Sequence, residues 1–262
     1  MSWNNFINEV IEGDSLELMK LIPNNSIDLV FADPPYNIGI KYDMYKDNRP
    51  KSEYLEWSKN WIGHTYNILK DTGSFFLAIC DEYVAELNII AKDEGFIQRN
   101  WIIWHYTFGQ SQRKKFSRAH THILYFVKDD KKSKFNDNEI RIPSARQLIY
   151  NDRRANPNGK LPDDVWLIPR ICGTFKERIE GIPCQIPETL LERIIKASSD
   201  EGDIVLDPFA GSGTTLAVAK KLRRKFIGIE ISKNYCKLIE KRLKQIRMPI
   251  LSHGIESSHK RN

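Results

Sequence analysis

Residues 204–220 read IVLDPFAGSGTTLAVAK. A short apolar run, Ile204 to Leu206, stops at Asp207-Pro208 and turns through Gly211 and Gly213. At Thr214 it enters a segment whose apolar residues recur at helical spacing, so the stretch predicts a strand, a tight loop and a helix. Glycines at 211 and 213 let the backbone approach a ligand closely, and the start of the helix offers free N–H groups and a positive dipole end to a carboxylate or phosphate. No Lys-Ser/Thr pair follows at Walker spacing, and Leu216 stands where a full GxGxxG would carry its third glycine.

The next apolar run, FIGIE, ends on Glu230, 17 residues after Gly213, where an acid accepts hydrogen bonds from ribose hydroxyls. Asp207 adds an anion at the loop itself. A nicotinamide dinucleotide would want N–H donors there for its pyrophosphate, whereas a nucleoside bearing an amino acid brings an ammonium that a carboxylate holds. That combination points to S-adenosylmethionine.

Earlier in the chain a second apolar strand, Ile27 to Ala32, runs into Asp33-Pro34-Pro35-Tyr36. Two prolines cannot donate to a sheet ladder, and each holds its predecessor extended, so Asp33 and Pro34 form a stiff lip at a strand end. A carboxylate, a carbonyl outside any helix and an aromatic ring then project from the carboxyl end of a buried strand, where open α/β sheets bind ligands.

The chain has 262 residues, 41% of them hydrophobic, enough for one large α/β domain with an inserted lobe. No apolar run nears the roughly 20 residues that span a bilayer, and the first ten lack a signal-peptide pattern, so a cytoplasmic location without membrane attachment is expected. Cys80, Cys172, Cys184 and Cys236 form no CxxC pair and read as ordinary thiols. His120 and His122 share a strand face without an evident third ligand, and no metal site is expected.

Formal charge is +6, but its distribution is uneven: Gln110 to Lys160 holds 13 basic and 5 acidic residues, +8 locally, leaving −2 for the rest. Phe116, Tyr125, Phe126, Phe135 and Tyr150 interleave with those cations, which fits phosphate contact combined with base contact. The wider pattern gives a strand at Asn8 to Ile11, a helix at Ser15 to Leu21, and a loop at Asn37 to Lys51. A helix at Glu53 to Leu69 follows, with Asp71-Thr72-Gly73 as its stop, then a strand at Ser74 to Ile79. Strands at Trp101 to Tyr106 and His122 to Val127 flank the basic loop Gln110 to Arg118. After an irregular stretch, helices at Glu188 to Ser198 and Asn234 to Ile246 complete the α/β rhythm.

DPPY together with DPFAGSGTT resembles the amino-methyltransferases of DNA, which methylate the exocyclic amine of adenine or cytosine. With the catalytic motif first and the cofactor motif late, the order is similar to that of the β class, and the resemblance runs from Val10 to about Arg242. It implies a Rossmann-like class I methyltransferase sheet, circularly permuted, mostly parallel, seven-stranded and with an antiparallel hairpin at one edge. Residues 1–127 would carry the DPPY half, 128–178 a target-recognition insert and 179–248 the cofactor half, with a mobile tail at 249–262.

The same resemblance assigns Asp33, Pro34, Pro35 and Tyr36 to catalysis. Asp14, Asp33, Pro187, Asp207, Phe209, Gly211, Ser212, Gly213, Thr214 and Glu230 would hold S-adenosylmethionine, Asp14 at the adenine and the PCQIP segment before Pro187 at the methionine end. The family commonly has Lys before that proline; here Ile186 stands there. Arg113, Lys114, Lys115, Phe116, Arg118, Arg146, Arg153 and Arg154 would meet double-stranded DNA, with Phe116 lining the base pocket. A homodimer and a cognate restriction endonuclease are further partners that the resemblance admits.

An adenine N6 lone pair is delocalised, so a poor nucleophile has to be aimed at an activated methyl. Asp33 and the Pro34 carbonyl would accept its two N–H bonds, stabilising the charge that develops on nitrogen while Tyr36 stacks on a base flipped out of the duplex. Asp at the first motif position leans to adenine N6. Cytosine N4, RNA and protein-amide substrates, or a catalytically silent DNA binder, are the alternatives; a nicotinamide oxidoreductase lacks hydride-transfer groups and the third glycine.

Overall fold

The computed structural model describes residues 3–110, 113–114, 116–173 and 175–246. Lys115 and the tail 249–262 lie outside the described residues. In chain order the elements are β1 (Glu9–Glu12), α1 (Ser15–Met19), β2 (Ile27–Ala32), α2 (Lys51–Ile68), β3 (Leu69–Ile79), α3 (Val84–Asp93), β4 (Ile97–Gln110), β5 (Arg118–Val127), α4 (Ala145–Leu148), β6 (Val165–Leu167), α5 (Glu188–Ser198), β7 (Ile204–Asp207), α6 (Thr214–Lys221), β8 (Lys225–Glu230) and α7 (Lys233–Gln245).

One sheet takes the order β1-β8-β7-β2-β3-β5-β4-β6. The first five strands run parallel, β5 is antiparallel to β3 and β4, and β6 is parallel to β4. All six residues of β2 are buried, as a central strand covered on both faces demands. Leu29 and Phe31 pack on one face with Leu190, Leu191 and Ile194 of α5 and Leu216 of α6. Val30 and Ala32 pack on the other with Trp61 and Ile62 of α2 and Leu87 of α3. The alternation along a single strand thus builds two cores, and each large apolar side chain buried in them stabilises the fold by roughly 1.5–3 kcal/mol.

Among the described residues the sheet has eight strands, not seven. β6 is the addition: three residues that alternate exposed Val165, buried Trp166 and exposed Leu167. So short a run gives no periodic signal, and it lies outside the antiparallel β4–β5 pair, which is therefore not the outermost part of the sheet. The irregular stretch containing it also supplies α4 and a 3-10 turn at Asp137–Ile140.

β3 begins at Leu69 rather than Ser74, so Asp71-Thr72-Gly73 belongs to a strand and is not the stop of the helix, which ends at Ile68. The register jumps there, from Ile27 opposite Leu69 to Leu29 opposite Ser74. A lysine–aspartate pair, Lys70 to the buried Asp28 at 2.7 Å, spans the bulge, while the Lys128 ammonium donates to the Leu69 carbonyl at 2.9 Å. β4 and β5 also run longer than their apolar cores, pairing out to Gln110 opposite Arg118. Backbone pairing in a two-stranded ribbon beyond the sheet body does not need apolar side chains.

Candidate active site

The carboxyl ends of β2, β7 and β8 meet in one cleft lined by Asp33 and Pro35, by Asp207, Phe209, Gly211, Ser212 and Thr214, and by Glu230. The two motifs, 174 positions apart in sequence, face each other because β7 pairs directly with β2.

Loop geometry follows from the residues. Asp207 Oδ1 accepts the Phe209 N–H at 3.0 Å, closing the turn after β7. Gly213 is the N-cap of α6 with φ +67, in the left-handed region, and a Cβ there would meet Ile239 at 2.7 Å. Only glycine fits both conditions. Glu230 bridges the loop to its own strand end: Oε2 accepts the Gly211 N–H and Oε1 the Ser232 N–H, both at 2.8 Å. Ser15 Oγ donates to the Pro208 carbonyl, tying the amino-terminal helix to the same loop.

Asp207 is a buried carboxylate and Asp33 a half-buried one. Burial pushes each up to about 7; the Asp207 charge adds to the rise at Asp33, and Glu230 adds to that at Asp207. Glu230 is also raised, chiefly by burial. Three acids in one concave site form a strongly cation-seeking pocket. The Tyr36 hydroxyl donates to Asp33 Oδ1 at 2.6 Å, and the Tyr54 hydroxyl donates to the Pro35 carbonyl at 2.9 Å, so the DPPY turn is fixed from both ends. Tyr36 and Pro34 lie outside the cleft lining, and the Tyr36 ring packs against the α2-side core.

Asp14 lines the cleft and caps α1, its Oδ1 accepting the Leu16 and Glu17 N–H groups at 2.9 and 3.3 Å. Of the closing segment, Ile182, Pro183, Cys184 and Ile186 reach the cleft, while Pro187 stands behind them as the N-cap of α5. Cys184 adopts φ +55 there.

The cations assigned to DNA divide. Arg113, Lys114, Arg146 and Arg153 are exposed. Arg118 is held in ion pairs with Asp81 at 2.7 Å and Glu82 at 3.0 Å, and Arg154 is paired with Asp152 at 3.0 Å. Phe116 is 99% exposed and stands outside the cleft lining. His122 Nδ1 accepts the Trp101 indole N–H at 2.9 Å.

One wall was missed by motif reading. Tyr42, Asp43, Met44, Tyr45 and Arg49, from the segment between the DPPY turn and α2, line the cleft together with Trp57. Buried Asp47 organises that segment by accepting the N–H groups of Asn37 at 2.6 Å, Ile38 at 3.1 Å and Ile40 at 2.9 Å. Asp43 fastens it across the cleft, accepting from Ser232 Oγ at 2.6 Å and Asn234 Nδ2 at 3.1 Å. Its length and mixture of acids with aromatics, YDMYKD, were the available signal, since loops of that size in compact domains are usually functional.

Comparison with known proteins agrees with this geometry. The DNA methylase family model for N6 and N4 enzymes matches residues 27–241. Type II methyltransferase M.HpaI of Haemophilus parainfluenzae is 39% identical over 235 residues, covering 89% of this chain and 73% of that protein. DNA adenine methyltransferase YhdJ of Escherichia coli (strain K12) is 40% identical over 244 residues, covering 89% and 82%. Among solved structures, the cytosine-N4-specific PvuII DNA methyltransferase superposes with a TM-score of 0.69 at 22% identity, covering 91% of this chain and 87% of that one. The M1.HpyAVI complex with S-adenosylmethionine superposes with a TM-score of 0.61 at 24% identity, covering 90% and 99%.

Proposed function

The chain belongs to the N6/N4 family of DNA methylases, and from that premise we propose that it transfers a methyl group from S-adenosylmethionine to the N6 amine of an adenine flipped out of duplex DNA. The observation that carries the reading is the half-buried Asp33, held by Tyr36 on the DPPY turn and lining one cleft with Asp207 and Glu230. The cofactor would supply an activated methyl on a sulfonium. The residues present suit such a group: acids for its cationic end, Glu230 for the ribose, and the Trp57–Phe209 aromatic pair, centroids 5.5 Å apart, for the purine.

Asp33 as first residue of the DPPY turn supports adenine over cytosine, as does similarity to a relative named as an adenine enzyme. Asp33 and the Pro34 carbonyl accept the two amine N–H bonds and favour charge building on the nitrogen. Mass spectrometry of nucleosides from unmethylated genomic DNA, incubated with the protein and isotopically labelled S-adenosylmethionine, tests the reading. Labelled N6-methyladenine is the expected product. Labelled N4-methylcytosine would move the substrate to cytosine, and unlabelled DNA with cofactor binding intact would leave RNA, a protein amide or a silent DNA binder.

An acid limb in the pH profile follows from the site. A protonated Asp33 offers a donor where the amine needs an acceptor, so activity falls as pH drops through about 7. Because burial raises this carboxyl and that of Asp207 in the fold, charging them above that pH opposes folding; the catalytic form is the less comfortable one. A profile of kcat/KM that stays flat from pH 8 to pH 5.5 would count against Asp33 as the acceptor.

We assign DNA contact to the exposed cations, with 128–178 as the recognition insert. Replacing Arg113 and Lys114 by Ala should weaken DNA binding and flatten the plot of log affinity against log salt by about 0.9 for each phosphate no longer neutralised. Arg118→Ala should instead leave that salt slope nearly unchanged, because Arg118 is held by Asp81 and Glu82, and should move the melting temperature only slightly, because both acids keep about half of their side-chain surface in water. Salt slopes identical to wild type would remove residues 113 and 114 from the interface.

A further inference from the structure

A second cavity, of about 340 Å³, opens on the α5 face of the sheet. Phe76, Tyr125 and Trp166 of the strands wall it, with Arg193 and Ile194 of α5 and Phe135 of the insert. It shares no lining residue with the active-site cleft, although α5 serves both: Leu191 lines the cleft and Arg193 this cavity. Its volume falls in the range of small-molecule sites, roughly 300–1,000 Å³.

Arg193 is the unusual member of the wall. It is half-buried, its guanidinium lies 4.8 Å from the Trp166 ring centroid, and it makes no hydrogen bond or ion pair with any described residue. Its N–H donors therefore have no acceptor in the protein. Burial draws this group below its ordinary range, with no acid to offset the effect. The neighbouring polar groups are already engaged. Arg99 is paired with Asp130 at 2.9 Å, the Trp166 indole N–H donates to the Asp163 carbonyl at 2.8 Å, and the Tyr125 hydroxyl lies 3.4 Å from Ser74 Oγ.

A partly desolvated guanidinium with a free fork of donors fits a carboxylate, which takes two parallel N–H bonds at once. The surrounding surface is flat and apolar: Phe76 and Tyr125 stack with centroids 4.3 Å apart, and Trp166 is 8% exposed. Two acids of the lining, Asp163 and Asp164, are exposed, and Asp163 is paired with Lys160. Their solvated charge leaves room for a monoanion at the more buried Arg193 but opposes a phosphate dianion or a polyanion.

We propose that this cavity binds a small aromatic carboxylate, its carboxylate on the Arg193 fork and its ring among Trp166, Phe135 and Tyr125. The site is separate from the one that holds the methyl donor. It also gives β6 a use, since that short strand carries Trp166 into the wall.

Phenylacetate, phenylacetamide and phenyl phosphate, titrated into the full chain and followed by ligand-detected NMR, test the proposal. On wild type, phenylacetate should bind at least about tenfold more tightly than its neutral amide, the scale of one charge-assisted contact. Phenyl phosphate should bind more weakly than phenylacetate. Arg193→Gln should bind acid and amide alike, and Arg193→Lys, which keeps the charge but loses the fork, should fall between. Saturating S-adenosylmethionine should leave phenylacetate affinity within about twofold, because the two cavities share no residue. Equal affinity of wild type for acid and amide would overturn the proposal, as would undiminished phenylacetate binding by Arg193→Gln or no saturable binding up to about 10 mM. Tighter binding of phenyl phosphate, or displacement of phenylacetate by S-adenosylmethionine, would do the same. The comparison of acid with amide uses wild type alone, so it decides the matter even if a variant fails to fold, and it needs no cofactor.

Discussion

Asp33→Ala should lower turnover on DNA by roughly a thousandfold, the scale reached when a pre-organised polar group facing developing charge is removed. S-adenosylmethionine affinity should change little, because Asp207 and Glu230 remain in the cleft. The fold should survive: Asp33 is a half-buried carboxylate pushed up to about 7 chiefly by desolvation, so losing it removes that cost and leaves a single partner, the Tyr36 hydroxyl, unpaired. Asp33→Asn is the sharper companion. It keeps the shape but presents a mixed donor and acceptor, and it should be nearly as inactive. Single-turnover kinetics beside cofactor titration would check both variants, and turnover within tenfold of wild type would dismiss Asp33 as the group that receives the amine.

Glu230→Ala should weaken S-adenosylmethionine by about a hundredfold. Two losses combine. The acceptor for the ribose disappears, and the Gly211 and Ser232 N–H groups that the carboxylate satisfies at 2.8 Å are orphaned. The second loss loosens the glycine loop and the Asp43 latch on Ser232 together. Glu230→Gln should fall between the two, since its amide accepts at one atom and donates at the other. Calorimetric titration separates the cases. Wild-type affinity in Glu230→Ala would mean that the ribose lies elsewhere.

Much of this site was legible because its motifs are local. DPPY and DPFAGSGTT each place a rigid turn at the end of a buried strand, and both the apolar runs and the glycine and proline punctuation can be read directly from the chain. Glu230 was found the same way, as a strand-ending acid. The wall from Tyr42 to Arg49 was not, because nothing local says that Asp43 reaches Ser232, 189 positions away. β6 escaped for a different reason: three residues are too few for a pattern, and only its pairing with Ile103, Trp104 and His105 makes it a strand. Among the cations, sequence shows charge but not partners. Arg118 and Arg113 read alike until Asp81 and Glu82 are seen to hold the former.

The strand order has a consequence for how the protein is made. On a ribosome β1 and β2 emerge early, yet the strands that lie between them, β8 and β7, are the last to be synthesised. Until then β1 has no sheet neighbour, and one edge of β2 with its apolar faces is open. Closing that gap joins residues such as Val10 and Gly228 across nearly the whole chain, a slow kind of contact to form. A nascent chain that stops before residue 204 should therefore stay protease-sensitive and chaperone-bound, and a full chain released from the ribosome should become resistant in a single late step.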